Sequence, residues 1–411
     1  MTGTRTLQSD FDVAKRPSGA TGGLDGIRVL DFGRYIAAPY CAAMLADQGA
    51  EVIRIDPPEG ASDREVMPIG VEGRGSAYLQ MNRNKKSLTL DYMAGEGRLI
   101  LNHLIKISDI VIVNLPERAL VKLGLDYESL RAINPNVILT TISAFAFSGK
   151  DRDRVGFDGM GQALSGAMYL SGSGERPMRA AVSYVDYATG ASAAFATMAA
   201  LAHRMLTGEG QHVECSLMGT ALTMMNPILL EEATGKRRRV ATANRSPIAG
   251  PSDLFKVADG WVMVQVIGNL MFKRWTELVG RPDLASDPRF SDDMKRGENG
   301  EALSDIMALW CADRTLSECL AAAQAARIPM CPVLTPDEAL RSFGNADYFQ
   351  EVDAFDGTKG LLIATANTRT LASRERGMQP APELGAHTDE ILGSLQIDAN
   401  EISKLRQEGI I

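Results

Sequence analysis

From Ile27 onward the chain alternates short apolar runs with amphipathic stretches. IRVLDFG (27–33) is an apolar run of strand length, PYCAAMLADQG (39–49) repeats its apolar residues at helical spacing up to a stop glycine, and EVIRID (51–56) is a second strand. These three segments predict a βαβ unit. The pattern then recurs, with strand-like KKSLTLDY (85–92), helical EGRLILNHLIKIS (96–108), strand-like DIVIVNL (109–115), one helix over ALVKLGLDYESLRAI (119–133) and strand-like NVILTTISAF (136–145). Continuous apolar strands alternating with helices indicate a parallel sheet covered on both faces, hence an α/β fold with a Rossmann-like large domain.

The texture changes near residue 225. TGKRRRVATANRSPIAGPSDLF is basic and loop-like, and ADGWVMVQVIG after it alternates as a hairpin or edge strand does. The expected organisation is a polar N-terminal tail over 1–23, a large α/β domain over 24–224 and a smaller α+β domain over 225–330. Helices near 270–280 and 301–325 belong to the smaller domain. Residues 331–411 end in a helical tail that returns to the large one. Residues 180–202 are long enough for a membrane span, but their Ala, Ser, Thr and Gly content with one Asp predicts a buried helix instead.

Composition narrows the classes. At 411 residues the chain exceeds what one core ordinarily supports, and 45% hydrophobic with 23% charged residues is ordinary for a globular protein. A net charge of −8 offers no general attraction to nucleic acid or to an anionic membrane. The five cysteines follow no metal-ligand spacing, so no metal site is expected; scattered and odd in number, they fit reduced thiols in a cytoplasmic protein. The N-terminus lacks an apolar signal core. A nucleotide-type ligand suits the strand ends of such a sheet, yet DFGRYIAAPY holds a lone Gly33 and no GxGxxG, which argues against NAD.

Candidate chemistry begins with Asp186, the one acid in the small-residue segment AAVSYVDYATGASAA (180–194). A carboxylate there costs several kcal/mol of hydration unless it is partnered. It is therefore a helix-cap or turn acid, a structural acid paired with a distant Arg, or a catalytic group facing a cleft. Asp158 in GFDGMGQALSG caps the following helix or supplies a second acid. Arg237–Arg239 form a solvated loop or a phosphate patch. NRNKKS (82–87) is a polar turn or places Arg83, Lys85 and Lys86 near an anionic cofactor. His212 reads as a strand residue without a role.

In order along the chain, LDGIRVLDFGRYIAAPYCAAMLADQGAEVIRID, NRNKKSLTLD, SDIVIVNL, GLDYESLRAINPNVILTTIS, GFDGMGQALSG, RMLTGEGQHVECSL, DPRF and GAHTDEIL resemble the family III CoA-transferases from Leu24 to the C-terminus. That superfamily includes formyl-CoA and carnitine CoA-transferases and the α-methylacyl-CoA racemases. The resemblance implies a coenzyme A thioester as substrate, no permanently bound cofactor, a carboxylic acid acceptor, and a homodimer whose chains interlock. It makes Asp186 the nucleophile and places CoA and acyl group near Tyr35, Ile36, Ala37, Leu90, Asp91, Asn114, Leu115, Lys122, Phe157 and Asp158, with Arg54 and Lys86 as additions. Racemases carry a histidine where this chain has Phe157, which favours a transferase over an epimerase. A non-catalytic acyl-CoA-binding subunit is the remaining alternative. The family's asparagine-phenylalanine-arginine-proline-glycine run is NLPERA here, and Pro57 replaces a basic position. Ile36 stands where the oxalate enzyme has Gln, so the acyl group expected is a substituted C4–C5 (di)carboxylate rather than oxalate.

Overall fold

The structure, a computed structural model, describes residues 22–69, 75–145, 148, 150–151, 153–344, 348–353, 359–364 and 377–411. Most of the polar tail expected over 1–23 lies outside the described residues. The first stretch runs β1 (Arg28–Asp31), α1 (Ala37–Asp47), β2 (Glu51–Asp56), α2 (Ser76–Met81), β3 (Lys86–Thr89), α3 (Gly95–Lys106), β4 (Ile110–Val113), α4 (Glu117–Leu123), α5 (Tyr127–Ile133) and β5 (Ile138–Ser143). It continues with α6 (Asp158–Leu164), α7 (Ala167–Leu170), α8 (Tyr184–Thr207), β6 (His212–Ser216) and α9 (Leu217–Ala233). Then come β7 (Ser252–Val257), β8 (Gly260–Gln265), α10 (Asn269–Leu278), α11 (Asp293–Glu298), α12 (Gly300–Ala312), α13 (Leu316–Ala326), β9 (Met330–Pro332) and α14 (Pro336–Phe343). The chain ends with β10 (Phe349–Val352), β11 (Leu361–Ala364), α15 (Thr388–Ser394) and α16 (Ala399–Gln407).

By internal contacts the chain divides into two units. One comprises Met1–Gly161, Ser183–Thr223 and Gly344–Ile411, the other Gln162–Val182 and Met224–Phe343. The second unit thus takes in Gln162–Val182, which the sequence places with the large domain, and extends past residue 330 to Phe343.

In the first unit, six described strands form a parallel sheet in the order β3-β2-β1-β4-β5-β6. Successive residues of a strand face opposite sides, and both sides are apolar here. Leu30, Ile53, Val111 and Leu139 pack toward the α3 and C-terminal helices, while Val29, Val52, Ile110 and Ile138 pack toward α1 and α8. The C-terminal segment packs against this sheet. His387 N donates to Ser87 O at 3.0 Å, Asp91 N to Ile410 O at 2.7 Å, and Ile391, Leu392, Ile402 and Leu405 close one face of the core. In the second unit, β7, β8 and β9 form an antiparallel sheet with Trp275, Phe272, Phe290 and Leu303 buried in its core.

Two local expectations change. The helix expected over 119–133 is two, because Gly124 adopts a left-handed φ of 62° and Asp126 restarts the helix by accepting from Ser129 N at 3.1 Å. The helix expected to be buried, α8, is buried on one face only. Val185, Thr189, Gly190, Ala193, Ala194, Thr197, Ala200 and Leu201 face the interior, whereas Phe195 is 78% exposed and Met198, Met205 and Leu206 also face outward.

The inward face of α8 needs small residues because α1 lies against it. A Cβ at Gly190 would sit 2.6 Å from Ala37 O, a backbone atom that cannot swing aside. Tyr40 and Tyr187 meet edge to face at 5.0 Å beside this contact. Gly190→Ala is expected to lower unfolding stability by about 1–3 kcal/mol, overriding the helix-propensity gain of about 1 kcal/mol. Gly393→Ala, where an added Cβ meets nothing within 4 Å, serves as the denaturant-unfolding control and is expected to be neutral or stabilising.

Candidate active site

The sheet order reverses between β1 and β4, and in open α/β sheets the crevice at such a reversal is where ligands bind. A cavity of about 580 Å³ opens here, lined by Arg34–Ala37 after β1, Asn114–Pro116 after β4, Ser143 and Ala144 at the end of β5, Arg154–Phe157, and Asp186.

The β1–α1 loop is held by charge. Asp31, fully buried, accepts from Lys85 Nζ at 2.7 Å and from Gly33 N at 2.7 Å. The Arg34 guanidinium donates to the carbonyls of Phe32, Gly33 and Ile55 and lies 3.4 Å from Asp56. Its backbone is clamped by Asn114, whose Oδ1 accepts from Arg34 N at 2.9 Å and whose Nδ2 donates to Arg34 O at 2.8 Å. Tyr35 follows in the left-handed region, φ 65°, with its N–H donating to Asp63 Oδ2 at 3.0 Å. A non-glycine residue there is strained, and such strain persists only where neighbours over-determine it. The loop delivers Tyr35, Ile36 and Ala37 to the cavity wall.

Behind it, Asp56 accepts from Arg54 Nε at 3.0 Å and Arg64 Nη2 at 2.8 Å, and Arg54 Nη2 donates to Asp63 Oδ1 at 2.7 Å. Burial alone would raise the Asp56 pKa, but Arg54, Arg34 and Arg64 together hold it at about 2. Arg54, expected near CoA, has no exposed surface; it does not line the cavity. Arg83 and Lys85, the candidate anion contacts, are likewise buried, on Asp47 at 2.5 Å and on Asp31.

Other expected residues are also elsewhere. Lys86 bridges Glu51 at 2.8 Å and Glu390 at 2.7 Å, Leu90 lies in the core, and Asp91 caps Met93 N at 2.9 Å. Lys122 is exposed at the end of α4, next to the lining residue Val121. Asp158 is buried, and its Oδ2 accepts from Val185 N at 3.3 Å. It therefore caps α8, the helix carrying Asp186, rather than only opening its own.

Asp186 stands in the first turn of α8 and is half-buried in the cavity wall. No described group hydrogen-bonds its carboxylate. Burial first, and then the nearby Asp158 charge, push its pKa up to about 7. Phe157 meets Tyr35 edge to face at 6.0 Å, and both residues are about half exposed and line the cavity. His212, given no role by the sequence, also lines the cavity. It stacks on Tyr127 at 5.5 Å and lies 2.9 Å from Thr141 Oγ1, with burial lowering its pKa against the pull of Glu214 and Glu117. Arg154, missed as well, had one signal: a basic residue just ahead of GFDGMG.

A carboxylate desolvated to ionise near neutral pH, without donors to stabilise its charge, is suited to nucleophilic attack. The sequence model of the family described as CoA-transferase family III matches residues 24–388. The chain belongs to CoA-transferase family III. It is similar to the succinyl-CoA–D-citramalate CoA-transferase of Chloroflexus aurantiacus, 30% identical over 393 residues that cover 94% of this chain and 98% of the relative. The succinate–glutarate CoA-transferase of Agrobacterium fabrum is 30% identical over 383 residues, 91% of this chain and 96% of the relative. Among solved structures, a CAIB/BAIF family protein from Brucella suis superposes with a TM-score of 0.78 at 28% identity, covering 91% of this chain and 99% of that one. Family III enzymes take CoA thioesters as substrates. No described helix is long and apolar enough to cross a membrane.

The Asp186 pKa carries a stability consequence. Its folded value, about 7, lies above the ordinary 3.8, so between those pH values the folded state holds a proton that the unfolded chain has lost. The Asp186 contribution to stability therefore falls as pH rises from about 4 to 7 and is flat beyond. Asp186→Asn removes the burdened charge and is expected to raise unfolding free energy by about 1–3 kcal/mol at pH 8, with no gain at pH 4. Thermal unfolding at both pH values checks this.

Proposed function

We propose that the chain moves CoA from an acyl-CoA donor to a carboxylic acid, with a C4–C5 dicarboxylate as acyl group, through a β-aspartyl-CoA thioester on Asp186. The observation that carries the reading is a half-buried carboxylate that no described group hydrogen-bonds, its pKa raised by burial and by Asp158 to about 7, in the wall of the switch-point cavity that Phe157 also lines. The names of the relatives, which act on succinyl, citramalate and glutarate units, support the substrate class.

The steps balance without a proton. The Asp186 carboxylate attacks the thioester carbonyl, a C–O bond forms, the C–S bond breaks and CoA leaves as thiolate. The thiolate attacks the aspartyl carbonyl of this mixed anhydride and expels the donor acid as a carboxylate. The acceptor carboxylate then attacks the aspartyl thioester, thiolate leaves again, and its attack on the acceptor carbonyl frees Asp186. Because every nucleophile is anionic and every leaving group leaves as an anion, no general acid is required. Phe157 is compatible with this chemistry, whereas α-proton exchange between two faces needs a group on each side. Apolar Ile36, Val155 and Phe157 line the cavity, and the bound acyl-CoA packed against them is expected to complete the exclusion of water from the activated ester.

CoA in this reading runs from Asp186 past Tyr35–Ala37 to Asn114 and Leu115, with exposed Lys122 near its phosphates. The reading includes a cytoplasmic homodimer of interlocked chains, and the outward apolar face of α8 (Phe195, Met198, Leu206) supplies surface for a second copy.

Enzyme mixed with a suitable acyl-CoA and quenched is expected to gain the mass of CoA less water on the peptide carrying Asp186, and borohydride is expected to reduce that side chain. Asp186→Asn and Asp186→Ala are expected to lose exchange by about 10³-fold or more. Near-normal exchange in Asp186→Asn, or rapid α-deuteration of a 2-methylacyl-CoA in D₂O without acceptor, overturns the reading.

A further inference from the structure

Among the described residues, two arginines line the cavity, Arg34 and Arg154. Arg34 is committed to the protein: its guanidinium serves three carbonyls and Asp56. Arg154 is not. Its guanidinium carbon lies over the Phe145 ring, 4.6 Å from the centroid, and its ion-pair partner, Asp151, is 3.6 Å away and, like Arg154, substantially solvent-exposed. Exposed pairs of this kind contribute little.

Position connects Arg154 to the acyl group. Three residues on, Phe157 packs on Tyr35, beside Ile36 and in the cavity that Asp186 faces. Three residues span at most roughly 10 Å, and the arginine side chain works within that radius. The acidic lining residues, Glu117, Asp126, Glu128, Asp186 and Glu214, are carboxylates. Among the described lining residues, an anionic group entering the cavity therefore has Arg154 as its available counter-ion.

We infer that Arg154 binds the carboxylate of the acyl group distal to the reacting carbon, and so selects dicarboxylic over monocarboxylic thioesters. The inference rests on the CoA-transfer reading and extends it to substrate choice. The guanidinium fork takes a carboxylate through two parallel hydrogen bonds, and the Phe145 ring beneath it gives the group a stacking surface. A monoacyl group of equal length leaves that cation unpaired as the ligand excludes water, which is the asymmetry by which polar sites reject analogues lacking a partner group. The same chemistry would serve a CoA phosphate, so the test separates the two sources.

The full chain is reacted with succinyl-CoA or butyryl-CoA, which share a four-carbon acyl length and one CoA, and formation of the aspartyl-CoA adduct is timed by quenched mass spectrometry. The unsubstituted chain is expected to prefer succinyl-CoA by about 10²-fold. Arg154→Gln is expected to bring that preference to within a few-fold of unity, and Arg154→Lys to restore part of it, while binding of free CoA stays unchanged. An unaltered preference in Arg154→Gln overturns the inference. So does an equal loss for both donors with weakened free-CoA binding, which assigns Arg154 to a phosphate. Absence of an adduct with either donor in the unsubstituted chain overturns the CoA-transfer chemistry itself.

Discussion

Asp56 accepts hydrogen bonds from two guanidinium groups inside the protein and stands beside a third, and the site is built outward from that arrangement. Removing such charges from water is expensive, and a buried pair contributes little net stability against an apolar replacement. Its value here is positional. Arg54 joins Asp56 to Asp63, Asp63 holds the strained amide of Tyr35, and Arg34 links Asp56 to three carbonyls around the end of β1. Each ion has its partner in one geometry only, so the β1–α1 loop has few alternatives to the conformation that presents Tyr35 and Ile36.

A second constraint brings Asp186 to that loop. Gly190 lets α8 approach Ala37 closely, and the Asp158 carboxylate satisfies the free amide of Val185 at the start of the helix. Asp186 therefore has a fixed distance to the wall made by α1, and the charge that caps its helix is also one of the two causes of its raised pKa. Helix capping and the electrostatic push on Asp186 come from the same carboxylate.

The parallel sheet was legible because its strands are continuous apolar runs separated by helices with clear periodicity. The break at Gly124 was signalled by LGLD and overridden by the apolar spacing on either side. The basic residues were harder: Arg54, Arg83 and Lys85 look like surface or anion-binding groups in one dimension, and only folding brings Asp47 and Asp31, 36 and 54 residues away from Arg83 and Lys85, against them. Asp186 stood out because an acid among small residues has no local partner. His212 and Arg154 did not, since lining a cavity depends on neighbours from β5, α5 and the segment before α6.

The composition of α8 has a thermal consequence. Ordering a side chain costs nothing for Ala or Gly and about 2 kcal/mol for the long flexible types, and the inward face of this helix is built almost wholly of Ala, Gly and Thr. Little rotamer freedom is lost when it docks on α1, and little remains to be released on warming. The carboxylate at its N-terminal turn thus sits on a stiff mount whose geometry changes slowly with temperature, and the disorder the active site can still shed lies in the aromatic and arginine side chains opposite.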